Sequence, residues 1–321
     1  MQAALAADEV TFCASDSPPV TSMSSLPYEL IQLICKQATN VLEPRVAVNL
    51  SSASKELRVS TQAVRQQLLA DHKEALALCL KVGMRSCKQL REAKTIDWRG
   101  KDLSAADVAL LGTLGSVLPA LQSLSLFARK AASLEGVQRL SAGLGAGALP
   151  AVTYLSFACM RVGDAGASAL AAALGRGALP RLETLNLASA AIDDAGLVAL
   201  APALRRRAAL EHLILPGNPL GDEGLGALVP PPPAAGAAHP PTGGLTKLKL
   251  LNLSETQITD AGCAALASVT YSCALPALEK VVLSGTPVGG AARAAVQDVY
   301  HGARPHAAGP DIVMEMTDHL R

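Results

Sequence analysis

The amino-acid sequence predicts an α/β solenoid of repeated strand–helix units behind a small all-α N-terminal unit. Three observations predict it. An apolar triplet spaced LxxLxL recurs in seven places, opening in turn at Ala93, Leu121, Val152, Leu182, Leu210, Leu248 and Leu278. Four copies carry a Gly nine residues past the third apolar, with an Asp two before it. Aromatics make up 2 % of the chain although half of it is hydrophobic, so the core must be assembled from many small, similar contacts. A period of about 30 residues marks a stacked architecture in which each unit buries its apolar face against its neighbours.

Residues 1–25 carry Asp8 and Glu9, lack a basic start and hold no long apolar run. They read as a disordered leader, not a signal peptide. Residues 26–88 fall outside the repeat and read as helical. Leu30, Leu33 and Ile34 have helical spacing, Pro27 and Glu29 suit a helix start, and Pro44 breaks that helix.

The repeats fill residues 90–300, followed by a tail at 301–321. Their strand triplets are Ala93/Ile96/Trp98, Leu121/Leu124/Leu126, Val152/Leu155/Phe157, Leu182/Leu185/Leu187, Leu210/Leu213/Leu215, Leu248/Leu251/Leu253 and Leu278/Val281/Leu283. After the strand the rhythm turns helical. Asp164, Asp194, Asp222 and Asp260 are placed to cap the N-terminus of their own helix, where a carboxylate meets free N–H groups and the dipole. Gly166, Gly196, Gly224 and Gly262 are expected to let that helix close on the strand layer. The stretch GLGAGALP, opening at Gly143, reads as a helix stop and turn. Pro202 should kink or shorten its helix. Four Pro at 230–233, within a Pro-rich insertion at 229–244, should end the preceding helix early. Arg205, Arg206 and Arg207 fall at a helix end, where cations suit the dipole.

These residues resemble the ribonuclease-inhibitor-like leucine-rich repeats, patterned LxxLxLxx(N/C)x(I/L)xxxGxxxL, over roughly residues 90–300. The resemblance implies a horseshoe with parallel strands on the concave face and helices on the convex face. The inward Asn of the pattern is present only as Asn218. Lys101, Arg129, Met160, Ala190, Thr256 and Thr286 stand there in the other copies, so the polar ladder behind the turns is expected to be incomplete. Ribonuclease inhibition is not implied, because the Cys-rich pattern of that inhibitor is missing.

The N-terminal segment resembles an F-box. The matching residues are Leu26, Pro27, Glu29, Leu30, Ile34, Leu50, Ser54, Lys55, Leu57 and Arg58. That resemblance implies a short helical bundle docking Skp1 through Leu26, Pro27, Leu30 and Ile34, and so recruiting a cullin ubiquitin ligase. The alternative is that these helices only cap the solenoid of a free-standing scaffold or inhibitor-like binder.

The sequence carries no HExxH, GxSxG or GxxxxGK[ST]. Its six His share no metal-like spacing. No catalytic residue, cofactor or metal is expected, and the protein reads as a non-enzyme. A net charge of +1 argues against nucleic acid. The apolar stretch Val108–Leu126 is broken by Pro119, which argues against a membrane span. Seven Cys without a CxxC pair suggest reduced thiols, hence the cytoplasm or the nucleus. What remains is the concave face. Strand alternation turns Phe127, Tyr154, Asn186, His212, Ile214, Leu250, Asn252 and Val282 outward. These residues are the expected contacts of a protein partner, whose identity the sequence does not reveal.

Overall fold

The computed structural model describes residues 27–38, 40–44, 49, 55–101, 103–127, 133–229, 244–270 and 275–302. The leader, Leu26, Arg129, the Pro-rich stretch 230–243 and residues 303–321 lie outside the described residues. The chain divides into two compact units, Met1–Lys73 and Glu74–Arg321.

In the first unit, α1 (Tyr28–Ala38) starts at Pro27, whose carbonyl accepts from the Leu30 and Ile31 amides at 3.0 and 3.1 Å. Proline has no N–H to satisfy at a helix start, which is why it is tolerated there. Beyond α1 the chain turns at Asn40, whose Oδ1 accepts from the Leu42 amide at 2.8 Å. The helix therefore ends before Pro44, as expected. Ile31 and Leu42 are buried, whereas Leu30, Leu33 and Ile34 are exposed. Two further helices follow, α2 (Lys55–Ser60) and α3 (Gln62–Lys81). His72 Nδ1 donates to the Val41 carbonyl at 2.7 Å and ties the turn to α3.

The second unit alternates strand and helix after a short α4 (Cys87–Glu92). Its strands are β1 (Thr95–Arg99), β2 (Ser123–Phe127), β3 (Tyr154–Ser156), β4 (Thr184–Asn186), β5 (His212–Ile214), β6 (Leu250–Asn252) and β7 (Lys280–Val282). Between and after them come α5 (Ala105–Leu114), α6 (Ser133–Gly143), α7 (Gly163–Gly175), α8 (Asp194–Arg205), α9 (Asp222–Leu228), α10 (Asp260–Thr270) and α11 (Gly290–Gly302). The strands lie in chain order in one sheet, every neighbouring pair parallel. Parallel neighbours need a crossover, and the six helices α5–α10 each supply one. This is the α/β solenoid that the sequence predicts.

Register stacks equivalent apolars. Ile96, Leu124, Leu155, Leu185, Leu213, Leu251 and Val281 form one continuous row. All but the terminal Val281 are buried to 1 % exposure or less. Beyond each described strand except β2, the backbone turns through the left-handed region at Gly100, Cys159, Ser189, Gly217, Glu255 or Gly285.

The recurring aspartates differ from expectation. Each reaches across to the next repeat. Asp194 Oδ1 accepts from the Gly221 and Gly224 amides, at 2.7 and 2.9 Å, at the start of α9. Asp164 Oδ1 likewise accepts from Asp193, Asp222 Oδ1 from Thr259 and Asp260 Oδ1 from Gly289, at 2.7–2.9 Å. Asp194, Asp222 and Asp260 already sit on the first residue of their own helix, too far inside to cap it. The cap of α8 is Asp193, which accepts from the Ala195 and Gly196 amides. The glycines are explained by the same crossing. A Cβ on Gly224 would stand 2.6 Å from Asp194 Oδ1, and Gly196 and Gly262 face Asp164 and Asp222 in the same way. At these three positions Gly is required by the preceding repeat's carboxylate, not by the strand layer, whereas Gly166 faces Val162 and Val137.

Pro202 also departs from expectation. α8 runs through it to Arg205, for 12 residues. Pro202 faces solvent, while Leu200, Ala201, Ala203 and Leu204 around it are buried and hold the helix together. α9 is cut short as expected, at seven residues before the Pro run. The arginines serve helix C-termini, but mostly those of neighbours. Arg207 donates to the Leu174 carbonyl, Arg205 to that of Ala227, and Arg176 to those of Ser141 and Leu144.

The inward polar ladder is incomplete, as expected. Asn218 accepts from the Ala190 and Ile192 amides and donates to the Leu187 and Leu215 carbonyls, bridging two repeats from a buried position. Thr256 and Thr286 bond only within their own repeat, to the Leu253 and Leu283 carbonyls at 2.6 Å. Met160 and Ala190 fill the position with apolar bulk.

Asp194→Ala should cost about 2 kcal/mol of unfolding free energy, since it strips two amides of a charged acceptor. Gly224→Ala should cost about 2–3 kcal/mol despite a helix-propensity gain of about 1 kcal/mol. The double variant should fall short of the summed losses by about 1 kcal/mol, because the Ala methyl then has no carboxylate to displace. Urea unfolding of the four proteins measures this, and strict additivity would rule out the coupling.

Candidate protein-binding surface

The face of the sheet away from the helices is built in rows, because parallel register places equivalent residues side by side. The first row runs Thr95, Ser123, Tyr154, Thr184, His212, Leu250, Lys280, and the middle row Asp97, Ser125, Ser156, Asn186, Ile214, Asn252, Val282.

Much of the middle row is engaged within its own strand end. Asn186 Oδ1 accepts from the Ala188 amide at 3.0 Å. Asn252 Oδ1 accepts from the Ser254 amide at 3.1 Å and its hydroxyl at 2.8 Å. Asp97 Oδ1 takes the Arg99 amide at 3.1 Å, and Ser156 Oγ the Ala158 amide at 3.4 Å. A short polar side chain that bonds the amide two residues on closes a local turn and ends the strand. Asn186, expected as an open contact, is 4 % exposed. Strands on both sides cover it and its amide oxygen is already used. Asn252 is only half-buried. The signal for this turn lies in the sequence as a polar residue between the last two apolars of the triplet, in five of the seven copies.

Where the middle residue is apolar, nothing of the kind forms. Ile214 and Val282 are half-buried, with Leu250 in the first row on the strand between them. Ile214 and Val282 are therefore separated in their own row by Asn252, with Leu250 diagonal to both. Tyr154 is half-buried between Ser123 and Thr184. His212 Nδ1 lies 3.1 Å from Thr184 Oγ1. Phe127 ends β2, and its side chain lies outside the described residues.

Charge on this side is mostly paired. Arg99 grips Asp97 through Nε and Nη2, at 2.6–3.0 Å. Those hydrogen bonds hold the Asp97 carboxyl below its ordinary range. Lys249 Nζ meets Glu211 Oε2 at 2.7 Å, and that bond holds the ammonium above its ordinary range.

Of the sequence-predicted Skp1-docking residues, Pro27, Leu30 and Ile34 are exposed on or before α1, and Leu26 lies outside the described residues. Elsewhere, an open hollow of 520 Å³ lies beside Asp193, Asp194, Val198, Pro219 and Glu223. Both aspartates there are bound to backbone amides, as described above. Cys79 and Cys87 are buried, and burial together with the Cys87 thiol pushes Cys79 up to about 12, so its thiol stays protonated at neutral pH. Among the described residues no three His, Cys, Asp or Glu gather as metal ligands. No described helix is long and apolar enough to cross a membrane.

A family model described as leucine-rich repeat matches residues 179–201, 209–229 and 244–267. The chain thus carries leucine-rich repeats. No curated protein sequence matches it. Similar solved structures include an internalin from Listeria monocytogenes, at 16 % identity over 64 % of this chain with a TM-score of 0.36. The chain spans about half of that internalin, 51 % of its length. Another is actin-binding site 2 of leiomodin-1, at 13 % identity over 66 % of this chain and 84 % of that one, with a TM-score of 0.30.

Asn186→Ala should destabilise the protein by about 1–2 kcal/mol, the cost of leaving the buried Ala188 amide without its acceptor. Asn252→Ala, at a half-exposed site where water replaces the lost bond, should cost about 0.5 kcal/mol. Urea unfolding of the two variants checks the contrast, and an equal loss would assign Asn186 no special structural part.

Proposed function

We propose that the repeat unit is a non-enzymatic protein-binding module of the ribonuclease-inhibitor-like subtype, and that the partner sits on the strand face. Leucine-rich repeats generally mediate protein–protein interaction. The observation that carries the reading is the division of labour on that face. Asp97, Ser156, Asn186 and Asn252 serve their own turns, which leaves half-buried Ile214, Leu250, Val282 and Tyr154 as the large apolar and aromatic groups with surface to offer. Such a face, apolar in part and with most of its charges paired, suits a protein surface and not a phosphate backbone.

The sharper reading is that of a substrate adaptor: α1 docks Skp1, and the strand face holds the protein presented to a cullin ubiquitin ligase. What supports it is the F-box-like match together with exposed Pro27 before α1 and exposed Leu30, Leu33 and Ile34 on it. Exposed aliphatics at positions i, i+3 and i+4 form the stripe by which a helix enters a partner's groove. A reduced cytoplasm or nucleus is the proposed location. Cys79, Cys87, Cys159 and Cys263 are free thiols, which supports that location.

Purified Skp1 should be captured by the full chain and lost with Leu30→Asp/Ile34→Asp, two exposed positions whose replacement spares the buried Ile31. No capture by the unaltered chain, where a known F-box protein binds, would remove the adaptor reading and leave the binding module. For the strand face, Ile214→Asp/Val282→Asp should weaken capture of a lysate-identified partner at least about tenfold, from two charges placed in a desolvated contact. Val198→Asp, exposed on α8, should leave it unchanged. Undiminished capture by the double variant would sink the strand face as the contact.

A further inference from the structure

Two of the buried thiols meet. Cys79 lies in the last turn of α3 and is 0 % exposed; Cys87 is the first residue of α4 and is 4 % exposed. Both belong to the second compact unit. The Cys79 thiol donates a hydrogen bond to the Cys87 sulfur. The turn between the two helices brings them together. Gly83, at φ +87°, takes the left-handed conformation that ends a helix and that glycine adopts without strain. The Met84 amide then donates to the Cys79 carbonyl at 2.7 Å, and the Gly83 amide to that of Leu80 at 3.1 Å. These two bonds fold the chain back over the helical turn that carries Cys79. Ser86 Oγ accepts from the Gln89 amide at 3.3 Å and starts α4, with Cys87 at its first position.

Neither cysteine lies on the strand face or on α1. Among the described residues no third His, Cys, Asp or Glu joins them as a metal ligand. A single buried cysteine is explained as a small apolar filler. A pair in contact has further chemistry, because only a short approach separates two touching thiols from the S–S bond length of about 2 Å.

We propose that Cys79 and Cys87 are a redox site, a dithiol that a hydroperoxide converts to a disulfide tying the last turn of α3 to the start of α4. Cys87 attacks first, since it has some exposed surface and its partner, as hydrogen-bond donor, keeps its proton. The Cys87 thiolate sulfur bonds to one peroxide oxygen, and the O–O bond breaks. The other oxygen takes up the proton that Cys87 gave and leaves as an alcohol, or as water when the oxidant is hydrogen peroxide. Cys87 is then a sulfenic acid. The Cys79 sulfur attacks the Cys87 sulfur, the S–O bond breaks, and hydroxide leaves with the Cys79 proton as water. Two thiols lose two electrons and one hydroperoxide gains them. Burial raises both thiols, Cys79 up to about 12, so thiolate is scarce at neutral pH and the reaction is slow. The pair therefore stays reduced through brief exposure and records a sustained one. The site does not depend on what the strand face binds.

Hydrogen peroxide treatment of the folded full chain, followed by alkylation, tryptic digestion and mass spectrometry, tests this. Trypsin cuts after Lys73, Lys81, Arg85 and Lys88, so the disulfide joins peptides 74–81 and 86–88. The joined species should appear, two hydrogens lighter than the separate thiol peptides, and should vanish with dithiothreitol. In Cys79→Ala, Cys87 should stop at the sulfenic acid, which dimedone labels. In the oxidised chain the Met84 amide should exchange with solvent at least about tenfold more slowly than in the reduced chain, because the cross-link holds the turn closed. The proposal fails if both cysteines are still thiols after prolonged excess peroxide, alkylated once the chain is unfolded. It fails too if the joined peptide forms only in urea. Equal Met84 exchange in the oxidised and reduced chains would overturn the tie between the helices.

Discussion

The stack depends on a bond that no repeat makes with itself. A helix N-terminus leaves amides without partners, and a carboxylate there gains both hydrogen bonds and the helix dipole. At the starts of α9, α10 and α11 the carboxylate comes from the repeat before, while α8 is capped by its own Asp193, whose amide Asp164 binds. Asp194 binds the amides of Gly221 and Gly224, and Asp164, Asp222 and Asp260 repeat the arrangement. The Asp and the Gly that recur together in each repeat are thus partners of different repeats. The Gly leaves the space that the neighbouring carboxylate fills. At the other end of the helices, Arg176 and Arg207 reach back to the preceding helix, and Arg205 reaches forward. The helix layer is tied across repeats at both ends, as the strand layer is tied by its main chain.

That division leaves the strand face as the surface free to vary. On the helix side Asp164, Asp194, Asp222, Asp260, Arg176, Arg205 and Arg207 are committed to bonds between repeats. On the strand side the turn-closing residues are committed too, because a strand of three residues must be ended within its own length. Ile214 and Val282 stand where other repeats place a turn-closing polar group. At those two positions the strand face gives up a local bond and presents apolar surface instead. The proposed binding surface rests on this asymmetry.

Periodicity carried most of the fold. The strand triplets, the early end of α9 at the Pro run, the helix end at Gly143 and the single inward Asn218 are all where the sequence places them. The departures share one cause. Asp194 as cap of its own helix, Gly224 as a contact for the strand layer and Asn186 as an open contact all follow from residues nearby in sequence. Their real partners or covers lie in the next repeat, in the one before, or on flanking strands. Pro202 misleads for the converse reason: its local cost is real, but four buried neighbours outweigh it.

By itself the sequence determined what depends on one repeat: strand by alternation, helix by the wider step, turn by polar and left-handed residues. These are short-range choices, and the repeat copies them along the chain. Only the tertiary structure decided which carboxylate caps which helix, which glycine makes room for it and which strand-face residues remain exposed. Those outcomes turn on distances between repeats, which parallel register fixes only once the repeats are stacked.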